Sequence, residues 1–204
     1  MAYLGTQPND VKKNTGLYTP SEILQLTKDG SWGGSLELIK ENSFSSVGDL
    51  LFTDIKENIY DVHILRITQD CTGDPINYLR LSNDGGSSYE DSNYRYASYI
   101  SDSASAGGEN RSNASTQILF NYGGGIGANE LQNFEATFYN IGDASKYSFV
   151  TGQSVNLGST ASVLSWSTNG CYTVAETINA IKFYMSGGTR TGTAKLYGLK
   201  QWVL

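Results

Sequence analysis

The chain predicts an all-β fold: an antiparallel β-sandwich, jelly-roll-like, preceded by an extended N-terminal arm with one short helix. Three observations predict it. The 204 residues include 23 Gly and 14 Tyr but only 3 Pro, and 17% are charged, a composition that suits many short strands joined by turns and not a helical bundle. From Asp49 onward, apolar and polar residues alternate at period two in one segment after another. Gly- and Asn-rich turn signals separate these segments at short spacing. A chain of this length buries a sizeable core without metals or disulfides.

Residues 1–47 read as the arm and residues 48–204 as the sandwich domain. Within the arm, Thr19-Pro20-Ser21-Glu22 is a capping box with proline at the first helical position. Ile23, Leu24 and Leu26 follow, and Lys28-Asp29-Gly30 closes a helix near 20–28. Two to three turns are too few to be stable alone, so this helix must dock on something.

Strands are expected at Ile59–Gln69 and Ile76–Asn83, with a hairpin turn at Asn83-Asp84-Gly85-Gly86. In Tyr94–Ser101, Tyr94, Tyr96 and Ser98 share one face, and Arg95, Ala97 and Tyr99 share the other. Ser103–Ser115 is rich in Ser, Gly and Asn and reads as a flexible loop. Gln117–Tyr122 is a short strand stopped by Gly123-Gly124-Gly125. In Leu131–Asn140, Phe134, Ala136 and Phe138 alternate with Glu135, Thr137 and Tyr139. Tyr147–Val150 follows, then Ser162–Ser167, a turn at Asn169-Gly170, and Cys171–Ala175. Ile181, Phe183 and Met185 share one face of the next strand. Gly187-Gly188 turns the chain, and Thr193–Leu199 completes a closing hairpin with Phe183, Leu196 and Leu199 in the core.

The net charge of -6 and pI near 4.7 argue against nucleic acid, which needs a basic surface. No run approaches the roughly 18 apolar residues of a membrane span, so no membrane insertion is expected. The start, MAYLGTQPND, lacks the basic and apolar regions of a secretory signal, and none is expected.

One histidine, His63, excludes two-histidine metal sites. It sits mid-strand and reads as structural, and no GxSxG nucleophile motif accompanies it. Cys71 and Cys171 lack zinc-site spacing. They could form one bridge over a long loop, or remain separate thiols, the reading favoured without a signal peptide. Gly123 to Ala128 has the letters of a dinucleotide fingerprint, but no helix follows, so an inter-strand loop is expected. Asn83 to Ser88 offers oxygens to calcium yet lacks the repeated acidic ligands of such loops. No cofactor and no metal are therefore expected. Glu57 with Asp61, or Glu90 with Asp91, could be imagined as glycosidase carboxylates. Nothing singles out a pair, and no enzyme activity is expected. The sequons at Asn110 and Asn113 carry little weight without a signal. Tyr89, Tyr94, Tyr96 and Tyr99 cluster along the sequence. Such rings either bind glycans or fill sheet faces and subunit interfaces, the second being the commoner use.

Ile181 to Leu199, IKFYMSGGTRTGTAKLYGL, resembles the closing hairpin of a group of small tailed-phage virion proteins, frequent in marine and cyanobacterial phages. Their ending reads F-x-x-S-S-G-N-I-x-S-G-T-x-x-L-Y-G-I; the match departs at Gly188-Thr189-Arg190, where the group has Gly-Asn-Ile. Asn83 to Tyr89 resembles the group's N-x-D-G-G-S-S-Y turn. Gly16 to Pro20 and Trp32 to Ile39 resemble a leader found before such domains. The resemblance implies a non-enzymatic structural protein located in the virion, on a tail, fibre or head surface. Its partners would be other virion proteins and further copies of itself, trimers by analogy. A carbohydrate-binding adhesin for host surface glycans and a head decoration protein are the alternatives, and a polysaccharide depolymerase would need a carboxylate pair.

Overall fold

A computed structural model describes residues 19–28, 36–122, 130–158 and 161–199. The chain divides into two units, Met1–Gly34 and Ser35–Leu204. In the first, α1 (Pro20–Lys28) forms as its capping box dictates. The Thr19 amide donates to Glu22 Oε2 at 2.7 Å, and the Glu22 amide donates to Thr19 Oγ1 at 3.3 Å. The rest of the expected arm before Leu36 lies outside the described residues, as does Gly123 to Ala128.

The second unit is a sandwich of two antiparallel sheets. Its strands are β1 (Leu36–Val47), β2 (Asp49–Thr53), β3 (Val62–Cys71), β4 (Ile76–Ser82), β5 (Tyr94–Asp102), β6 (Gly108–Ser115), β7 (Ile118–Tyr122), β8 (Gln132–Tyr139), β9 (Ser148–Leu157), β10 (Val163–Tyr172), β11 (Ala180–Met185) and β12 (Arg190–Leu199). The large sheet runs β1-β12-β3-β8-β9-β10-β5-β6 and the small one β2-β11-β4-β7. The pairings β1 with β12, β2 with β11, β3 with β8 and β4 with β7 are nested, as in a β-ribbon rolled on itself. That is jelly-roll connectivity. The hairpins β5–β6 and β9–β10 are additions that widen the large sheet.

The core lies where the inward faces meet. Phe120 of β7, Phe134 of β8 and Phe183 of β11 form a triangle of rings with centroids 5.9, 5.5 and 5.3 Å apart. Such tilted and edge-to-face pairs add to the burial of the rings. The expected alternation holds in β8 and β11: Phe134, Ala136 and Phe138 are buried, as are Ile181, Phe183 and Met185.

Five expectations change. Leu36–Val47, assigned to the arm, is β1, paired with β12 along its length and placing Phe44 in the core. Within Ser103–Ser115, read as a loop, Gly108–Ser115 is β6, an edge strand whose Ser/Asn composition follows from its exposure. The turn at Asn169-Gly170 is absent, because both lie inside β10. Gly170 is there for space: a Cβ would meet Ile118 Cδ1 at 2.8 Å. Neither Asn83–Gly86 nor Gly187-Gly188 makes a hairpin. Each carries the chain from the small sheet to the large one. Gly188 has φ +76° and its Cβ would strike the Thr72 carbonyl oxygen at 2.3 Å, so no other residue fits that crossing. Leu199 is half-buried on the outward side, whereas Phe183 and Leu196 are core residues.

Candidate functional site

The four tyrosines nominated together occupy separate surroundings. Tyr94 is fully buried and tilts against Tyr172 at 5.1 Å. Its hydroxyl accepts from the Leu81 amide at 2.8 Å, and burial pushes its pKa well above the usual tyrosine range. Tyr96 is half-buried on the same face and donates to Asn110 Oδ1 at 3.1 Å. Tyr89 follows the crossing loop, beneath the Lys182 ammonium, which lies 5.7 Å from its ring centroid. Only Tyr99 presents its ring to solvent, 55% exposed on the outer face of the large sheet. Sequence neighbours separate here because a strand sends alternate residues to opposite faces.

The Asn83–Ser88 loop uses its own oxygens. Asp84 accepts from the Ser88 hydroxyl, the Ser88 amide and the Ser82 hydroxyl. The Ser88 hydroxyl is the largest of the influences that hold its pKa at about 2. The carboxylate is thus occupied in shaping the turn. Cys71 and Cys171 are both free thiols. Burial raises Cys71 to about 11, which makes it a poor nucleophile. His63 is fully buried, its Nε2 2.9 Å from the Ile55 carbonyl oxygen, and burial lowers its pKa.

Two of the concave surfaces among the described residues bear on the nominated carboxylates and on the outer face of the large sheet. At one end of the sandwich, a cleft of about 540 Å³ is lined by Glu57, Asp61, Tyr139, Asp143 and Lys146. Lys146 bonds to Asp143 at 2.6 Å and holds that carboxyl well below its usual range. A general acid in a glycosidase needs the opposite shift, so Asp143 does not suit that role. Glu90, the other nominated carboxylate beside Asp91, follows the crossing loop, and its amide donates to Leu81.

The second surface is the outer face of the large sheet. A depression of about 380 Å³ is lined by Arg66, Thr68, Asn133, Glu135, Gln153, Val155 and Ser165. Another of about 270 Å³, lined by Glu135, Thr137, Thr151, Gln153, Ser167 and Asn169, shares Glu135 and Gln153 with it. Together they make one groove across β3, β8, β9 and β10. Register builds it: Arg66 stands opposite Glu135, Glu135 opposite Gln153, Gln153 opposite Ser167, and Ser167 opposite Tyr99. Arg66 Nε donates to Glu135 Oε2 at 2.6 Å, and the Thr68 hydroxyl to Asn133 at 2.9 Å. Among the described residues lining the groove, Glu135 is the single carboxylate. Sequence reasoning missed these residues. Alternation marks each as outward, but only the register brings them into one row. No protein-family model, curated protein or solved structure matches the chain.

Proposed function

We propose that the chain is a noncatalytic structural protein of a tailed-phage virion, carried in several copies on a tail, fibre or head surface. The sandwich is the displayed part, and residues ahead of Ser35 anchor it to neighbouring virion proteins. The observation that carries this reading is the place of two of the three segments on which the resemblance rests. Asn83–Tyr89 and Ile181–Leu199 each include a crossing between the sheets, where Gly85, Gly86 and Gly188 have positive φ. On this reading, the glycines on which the resemblance rests are ones that a rolled sandwich needs at its crossings. Jelly rolls build capsids and lectins alike, which supports a display role by analogy of fold only.

Protein mass spectrometry of purified particles tests the proposal. The chain is expected among the virion proteins at a copy number that separates a tail appendage from a head decoration. Its absence from particles overturns the reading. Light scattering of the purified protein tests the expected homo-oligomer, a trimer by analogy with the group.

A further inference from the structure

We propose that the groove on the outer face of the large sheet binds a neutral oligosaccharide. The inference goes beyond the virion reading and stands on the chemistry of the groove alone. Its two charged side chains, Arg66 and Glu135, are paired with each other at 2.6 Å. Neither an anion nor a cation finds an uncommitted counter-charge there. The four strands beneath it are paired on both edges, so no backbone is free to receive a peptide strand. The lining mixes amides and hydroxyls with apolar surface at Val155, and that one exposed aliphatic side chain is too small a patch for the face of an amphipathic helix.

A sugar hydroxyl both donates and accepts, and so do the amides of Gln153 and Asn169 and the hydroxyl of Ser167. Gln153, Ser167 and Asn169 point outward and spend none of this capacity on hydrogen bonds within the described residues. At the end of the Gln153–Ser167 row stands Tyr99, its exposed ring available to the C–H face of a pyranose. From Gln153 to Tyr99 is two strand spacings, roughly 10 Å, the reach of a disaccharide.

The test is affinity electrophoresis of the full chain in gels containing dextran, mannan or galactan, together with a printed array of neutral and acidic oligosaccharides. The wild type is expected to bind at least one neutral glycan, with little response to salt. Gln153→Ala with Asn169→Ala, and separately Tyr99→Ala, should weaken binding by about tenfold or more. Ser167→Arg, which fills the groove, should abolish it. All these positions are exposed, so circular dichroism and the thermal midpoint should match wild type. Lys182→Ala, on the small sheet, should bind normally. No binding to any neutral glycan, binding confined to acidic glycans, or variants that bind like wild type would overturn the proposal. A chain found in virions that binds no glycan refutes this inference alone; one that binds glycan but is absent from virions refutes only the virion reading.

Discussion

A Cβ atom on Gly152 would lie 2.3 Å from Cζ of Phe120. The ring, on an edge strand of the small sheet, rests against bare backbone of the large one. Phe120 cannot swing aside, because Phe134 and Phe183 hold its other contacts. Gly152→Ala should therefore lower stability by about 1–3 kcal/mol through overpacking. Thr151→Ala, one residue away on the outer face, should stay within ~0.5 kcal/mol. Denaturant midpoints decide it, and equal midpoints would mean that the sheets are not in contact here.

Phe183 and Lys182 offer the same contrast across the small sheet. Phe183 is 1% exposed and completes the ring triangle, so Phe183→Ala should cost about 3–5 kcal/mol. Lys182 bonds to Asp49 at 2.7 Å on the outer side, and Lys182→Ala should cost about 1 kcal/mol or less. Similar losses from both would refute the register of β11.

The boundary before β1 predicts two truncations. Removing residues 1–34 should leave cooperative thermal unfolding of the sandwich intact, since that unit ends at Gly34. Removing residues 1–47 takes away Phe44 and every partner of β12 on that side, and leaves a long unpaired edge. The longer truncation should lower the midpoint and promote aggregation. A large loss from the shorter one would show that the sandwich needs the preceding residues.

His63 gives a pH signature. Burial lowers its folded pKa, and Nδ1 has no hydrogen-bond partner. As pH falls, the unfolded chain takes up the proton before the folded one. The stability tied to neutral His63 is therefore complete above the unfolded value near ~6.5 and is lost as pH drops through it toward the folded pKa. The midpoint should fall between about pH 7.5 and pH 5.5, a range above the ordinary carboxylate transitions. His63→Gln keeps a donor for the Ile55 carbonyl and should flatten that slope. An unchanged slope would assign the effect elsewhere.

Much of the fold was legible where alternation was strong, as in β3, β8 and β11, and where side chains themselves close a turn, as at Thr19 and Glu22. Composition misled where exposure or close approach set the residue. β6 is polar because it is an exposed edge, and Asn169-Gly170 reads as a turn although Gly170 only makes room for Ile118. Connectivity was less accessible, since no local feature of Gly187-Gly188 distinguishes a hairpin from a crossing. The tyrosine cluster failed as a unit because period two sends Tyr96 and Tyr99 to opposite faces. The groove residues come from four strands, and their assembly depends on pairings between Arg66, Glu135, Gln153 and Ser167 that lie far apart in sequence.

Leu36 opens β1 and stands opposite Leu199, which closes β12. Both connections to the sandwich thus leave from one corner. Tension applied through them would part β1 from β12 one rung at a time, an unzipping load, instead of shearing the whole ladder at once. Peeling begins at low force and yields a slack tether of β1 while the nested pairs further in stay closed. Held by its two ends, the sandwich would give by one strand first and keep the outer face of β8, β9 and β10 in shape.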